Sequence, residues 1–128
     1  MPRMIIAGGR DFSDYNTLVK EVVGYCISKG YKPEDIEVIS GMASGADRLG
    51  ETFALTAGCK LTKFKPRWET HGKSAGFIRN SDMANYASED KGVCFCFWDG
   101  VSKGTRHMIN IAKEKKLETI VIEYGGNN

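Results

Sequence analysis

Three glycine-rich segments carry the residue types that hold a phosphate: Gly8-Gly9-Arg10-Asp11, Ser40-Gly41-Met42-Ala43-Ser44-Gly45-Ala46-Asp47 and Asp99-Gly100-Val101-Ser102-Lys103-Gly104-Thr105. Phosphate needs backbone N–H groups that approach it closely, and glycine removes the Cβ that would stand in the way. The start of a helix adds unpaired donors and the positive end of a dipole. Ser44-Gly45-Ala46 and Lys103-Gly104-Thr105 supply that arrangement, with hydroxyls from Ser44, Ser102 and Thr105 and charge from Arg10 and Lys103. Strand-to-helix turns use glycine for geometry alone, so the weight rests on three such loops meeting at one edge. None matches the Walker loop, which needs Gly-Lys-Ser/Thr, and none matches Gly-x-Gly-x-x-Gly.

The elements around these loops alternate. Apolar runs at Met4–Ala7, Ile36–Ile39 and Gly92–Trp98 read as buried strands, Cys59–Phe64 as a weaker one and Thr119–Ile122 as the last. Helical spacing follows Ser13 or Asp14 as cap and ends at Gly30. It resumes after Ser44-Gly45-Ala46-Asp47, which resembles a capping box, and closes at Gly58. A third helix spans roughly Lys73 to Ala87, with Phe77, Ile78, Met83 and Ala84 near its buried side. A fourth runs from Thr105 to Lys116, and Gly125-Gly126-Asn127-Asn128 reads as a frayed tail. Five strands and four helices in alternation predict one α/β domain over residues 1–128. Its Rossmann-like parallel sheet has helices on both faces and order 3-2-1-4-5, with 2-1-3-4-5 as the alternative. In order 3-2-1-4-5 the loops after strands one and four meet at the carboxyl edge, where such sheets bind ligands.

Composition narrows the classes. The chain has 128 residues, 41% hydrophobic and 27% charged, which suits a single soluble domain with its own core. Its net charge of +2 is too small to imply nucleic acid by itself. Lys60, Lys63, Lys65, Arg67, Lys73 and Arg79 nevertheless fall in one stretch against Glu69 alone, a local field for an anion or a solvated surface. Cys26, Cys59, Cys94 and Cys96 have no metal-ligand spacing, and Cys94 and Cys96 share one face of a strand. No metal site is visible, no cofactor is evident, and a magnesium ion bridged by ligand phosphates is compatible with the pattern. Reduced thiols, a start too short for a signal peptide and no membrane-spanning run place the protein in the cytoplasm.

The same segments resemble a known family. Gly8 to Phe12, Ser40 to Glu51, Lys73-Ser74-Ala75-Gly76-Phe77-Ile78-Arg79-Asn80-Ser81-Asp82-Met83 and Trp98 to Thr105 resemble, in order and over nearly the whole chain, the YspA-type, YpsA-related SLOG family. The resemblance implies a Rossmann-like domain binding nucleotide-derived ligands, often as a sensor in phage or bacterial conflict systems. The wider superfamily holds the LOG phosphoribohydrolases and the single-stranded-DNA-binding Smf/DprA proteins, and it often assembles. For a homo-oligomer the region of Phe77 or Tyr86 is the expected interface. LOG enzymes carry Arg-Lys-x-x-Met, to which Arg79-Asn80-Ser81-Asp82-Met83 is similar, so Arg79 is expected at phosphate or ribose. They also carry a catalytic glutamate after Gly-Thr. Here Gly104-Thr105 is followed by Arg106, His107, Met108 and Ile109, a departure that weakens hydrolysis and leaves phosphate binding intact.

The expected ligand contacts are therefore Gly8, Gly9, Arg10, Asp11, Ser40, Gly41, Ser44, Gly45, Ala46, Asp47, Lys73, Arg79, Asn80, Trp98, Ser102, Lys103, Gly104 and Thr105. Asp47 would position a ribose hydroxyl or act as a base, or else complete the capping box. Glu51, one turn on, is the alternative acid, or an exposed helix glutamate. Trp68 would stack on a base or cover a hydrophobic edge. The leading expectation is a nucleotide-binding sensor or processing module. Behind it stand a phosphoribohydrolase-like enzyme using Asp47 or Glu51, and a single-strand nucleic-acid binder using the basic stretch with Trp68 and Phe77.

Overall fold

The computed structural model describes residues 1–125, so the tail reading for Gly126, Asn127 and Asn128 lies outside the described residues. Five strands form: β1 (Arg3–Gly8), β2 (Glu37–Ser40), β3 (Lys60–Lys63), β4 (Val93–Trp98) and β5 (Glu118–Glu123). They pair in parallel in the order β3-β2-β1-β4-β5, the first of the two orders expected. The register sets Ile5 beside Ile39 on one flank and Cys94 on the other, so the apolar runs lie side by side.

Alternation along β1 and β4 divides the core in two. Met4, Ile6, Val93, Phe95 and Phe97 face α1 (Tyr15–Lys29) and α2 (Ala46–Ala57). Ile5, Ala7, Cys94 and Cys96 face α4 (Ala75–Ser88) and α5 (Lys103–Glu114). These strands are buried on both faces, which is why their sequences are continuous apolar runs. Cys94 and Cys96 share a face, with sulfurs 3.5 Å apart, as the period of two requires.

The ends of α1 follow the expected chemistry. Asp14 accepts hydrogen bonds from the Thr17 amide at 3.1 Å and its hydroxyl at 2.6 Å, and Gly30 closes the helix in the left-handed conformation. Asp14→Ala is expected to cost about 1 kcal/mol in a urea melt. An unchanged midpoint would show that the cap is redundant.

Four expectations are corrected. The chain between β3 and α4 folds into a further short helix, α3 (Trp68–His71), and a 3-10 turn at Gly72–Ser74, so α4 starts at Ala75 rather than Lys73. Phe77 is 47% exposed instead of buried, because α4 turns it along the sheet edge toward His107. Ser44 does not cap α2: Gly45 holds that position at φ +78° and no side chain caps it. Tyr86 is no open surface either. Its ring lies under the Arg3 guanidinium, 3.8 Å from centroid to cation, and its hydroxyl donates to Glu37.

Candidate functional site

A cleft of about 440 Å³ opens where β1 and β4 end. Strand order reverses between them, so their loops diverge and leave a gap at the carboxyl edge. Gly8 to Asp11 form one wall, the Asp99-to-Thr105 segment the next, and Lys73, Gly76, Phe77, Arg79 and Asn80 from the α4 side a third. Ala43 and Asp47 come from the loop after β2 and the start of α2, and Trp68 stands at the rim.

Loops one and two are locked together. The Ala46 amide donates to the Gly9 carbonyl at 3.2 Å, and a Cβ on Gly45 would lie 2.6 Å from the carbonyl of Arg10. On the other side the Tyr124 hydroxyl donates to Asp11 at 2.6 Å and covers Gly9. The sequence reading missed Tyr124, although an aromatic just past the carboxyl end of β5 falls on this same edge.

The centre of the cleft sets the buried Asp47 carboxyl near the half-buried Arg79 guanidinium. A Cβ on Gly41 would lie 2.8 Å from both Arg79 Nη1 and Asp47 Oδ2, so both side chains converge on a glycine that leaves them room. Arg79 donates to the Gly41 carbonyl and, at 3.0 Å, to Asn80 Oδ1. Asp47 accepts from the Ala43 amide at 3.2 Å. Burial pushes the Asp47 carboxyl up to about 6 against the opposing pull of that amide and of Arg79. Burial lowers Arg79, and Asp47 works against it. Asn80 also donates to the Gly104 carbonyl at 3.3 Å and meets His107 Nδ1 at 3.2 Å, which ties α4 to the start of α5.

Charge satisfaction in the cleft is lopsided. Asp11 receives Tyr124, Asp47 receives Ala43, and Asp99 receives the amides of Val101 and Ser102 at 2.9 and 2.7 Å. Among the described residues neither Arg10 nor Lys73 forms an ion pair. The carboxylates have neutral donors of the protein's own, and among the described residues the outer cations have no acidic partner, which leaves those cations available to an anion.

Of the expected contacts, Gly8, Gly9, Arg10, Asp11, Asp47, Lys73, Arg79, Asn80, Ser102, Gly104 and Thr105 line this cleft. The structure places the others behind it or outside. Ser40 is buried, with its hydroxyl donating to Glu51 at 2.6 Å and accepting from the Met42 amide at 3.0 Å. Glu51 is therefore no exposed helix glutamate. It is buried, and Arg48 at 3.1 Å and Lys63 at 3.8 Å hold it away from the cleft lining. Gly41, Gly45 and Ala46 shape the loop backbone from behind, while Ser44 and Lys103 point to solvent. Trp98 packs on the core and donates its indole N–H to the Ser102 carbonyl at 3.0 Å, so it buttresses the third loop. Trp68 and Phe77, about half exposed, stand as the aromatic rim. Among the described residues no three His, Cys, Asp or Glu side chains gather as metal ligands, and no helix is long and apolar enough to cross a membrane.

Comparison with known proteins agrees with this architecture. The family model for YAcAr, the YspA, cpYpsA-related SLOG family, matches residues 2–71, which include the first two glycine-rich loops. The Gene 61 protein of Mycobacterium phage D29 is 32% identical over 125 residues, covering 94% of this chain and 95% of that protein. No solved structure matches the chain. With more than half its length matched by that model, the chain belongs to the YspA, cpYpsA-related SLOG family.

Proposed function

We propose that the cleft binds a nucleotide or a nucleotide-derived phosphate ligand and that the domain works as a sensor or processing module. The observation that carries this reading is the pairing imbalance just described: engaged carboxylates beside unpaired Arg10 and Lys73 on a glycine-lined edge. The phosphate belongs between the Gly8-Gly9-Arg10 turn and the first turn of α5, with Ser102 and Thr105 as hydroxyl donors. The base belongs against Trp68 and Phe77, whose exposed faces suit stacking.

Gly104 makes the reading testable. It lies inside α5, no positive φ is required of it, and a Cβ there would meet nothing within 4 Å. Folding thus has no need of glycine at this position, whereas a phosphate seated on the helix start does. Gly104→Ala is expected to keep stability within about 1 kcal/mol of wild type, or to raise it. The same change is expected to weaken binding of adenosine 5′-monophosphate at least about tenfold. Calorimetric titration after a thermal-shift screen of nucleotide classes measures both. A screen in which no nucleotide raises the melting temperature, or a variant that binds as well as wild type, would sink the proposal.

A second reading, N-glycosidic hydrolysis of a nucleotide, is favoured by one observation: Asp47 lines the cleft with its carboxyl near 6, where it can hold or yield a proton at neutral pH. Release of free base from a nucleoside monophosphate, lost in Asp47→Asn, would establish it. Absence of release under saturating binding would leave the chain a binding module.

A further inference from the structure

A second concavity, of about 300 Å³, lies on the other flank of α4. Its lining is basic: Lys65 and Arg67 from the segment after β3, His71 from α3, and Arg79, against Asp82 alone. Buried Ala75 and half-buried Ile78 make its floor. Among the described residues neither Lys65 nor Arg67 forms an ion pair. Like charges gathered in a hollow with Asp82 as the one acidic side chain lining it repel one another, and an anion seated between them relieves that repulsion. The Pro66 ring fixes the backbone between the two cations, and α3 follows at once, so they are held on one side.

Arg79 lines both clefts. Its bonds to Gly41 and Asn80 fix the guanidinium between them. We propose that the second concavity is an anion subsite continuous with the first through Arg79. Its ligand then carries two phosphoryl groups separated by a sugar, as a nucleoside 3′,5′-bisphosphate does. Adjacent phosphates of a diphosphate would both remain in the first cleft, because the Arg79 side chain stands between the two hollows and lines each of them. The inference rests on the nucleotide reading of the first cleft.

Titration of adenosine 5′-monophosphate and adenosine 3′,5′-bisphosphate into wild type and Lys65→Ala/Arg67→Ala tests it. Both substituted side chains are exposed, so the fold is retained. Wild type is expected to prefer the bisphosphate by about tenfold, as two charge-assisted contacts allow. The double variant should lose that preference while holding the monophosphate within about twofold of wild type. Equal affinities in wild type, or a preference that survives the double substitution, would overturn the subsite and leave the nucleotide reading standing. No binding of either compound would remove that reading and the subsite with it. A short 5′-phosphorylated oligonucleotide forms the third arm. If it binds more tightly than the bisphosphate, with steep salt dependence lost in the double variant, the groove belongs to a nucleic-acid strand and the small-ligand proposal fails.

Discussion

Gly45→Ala is expected to cost about 2–6 kcal/mol and to lower the melting temperature by roughly 7–22 °C in a domain of this size. Two effects combine. Gly45 sits at φ +78° and ψ −127°, a region that residues with a Cβ enter only under strain of about 1–3 kcal/mol. The added Cβ would also drive into the main chain of Gly9 and Arg10, 2.6 Å from the Arg10 carbonyl, where no side chain can swing away. The backbone must then shift, at about 1–3 kcal/mol more. Gly30→Ala separates the two effects. Gly30 also has a positive φ, +73°, but its Cβ would meet nothing within 4 Å, so strain alone applies and about 1 kcal/mol is expected. Urea midpoints of the two variants give the comparison. Equal losses would show that loops one and two are not locked by close approach. The lock matters for the site, because it sets Arg10 opposite Asp47 and Arg79. A Gly45→Ala chain that still folds is therefore expected to bind nucleotide more weakly than its residual stability alone would explain.

The parts legible in the sequence and the parts that were not divide on physical lines. β1, β2 and β4 are buried on both faces, so their apolar runs announced them, and the glycine stops placed the loops at one edge. Arg79 and Asn80 were reachable through their helical motif. Local signals misled where a side chain's partner lies far along the chain. Glu51 looked like an exposed helix residue, yet Ser40 and Lys63, eleven and twelve positions away, bury and engage it. Glu37 was not singled out at all. It is buried at the amino end of β2, where Arg3, Thr62 and Tyr86 converge on it from three other elements. The Ser44 capping box failed for a local reason: Gly45 takes a conformation that turns the preceding residue outward, and Asp47 bonds to Ala43 instead. The aromatic rim required knowing that α3 forms. Without that helical turn, Trp68 has no defined position relative to Phe77.

Stability of the wild-type protein relative to Asp47→Asn is expected to fall by about 2–3 kcal/mol between about pH 4 and pH 7, roughly 7–11 °C in melting temperature. The sign follows from the proton count. In the unfolded chain Asp47 releases its proton near the ordinary value of 3.8, and in the folded chain it holds it to about 6. Between those values the native state binds the extra proton, so raising the pH favours unfolding, and above about pH 7 the effect is complete. Asn cannot titrate, yet its carbonyl oxygen still accepts from the Ala43 amide, which keeps the loop. Arg79 stays protonated throughout, and its attraction for the Asp47 carboxylate is already contained in the folded value of about 6, so it adds no separate slope. Melts of both proteins across this range isolate Asp47, and parallel curves would show that its carboxyl is not perturbed by burial. Saturating adenosine 5′-monophosphate extends the test to the ligand. A phosphate beside Asp47 disfavours the carboxylate further and moves the window in the wild-type-minus-variant difference to higher pH. An unmoved window would place the phosphate away from Asp47 and Arg79, at the outer cations Arg10 and Lys73 alone.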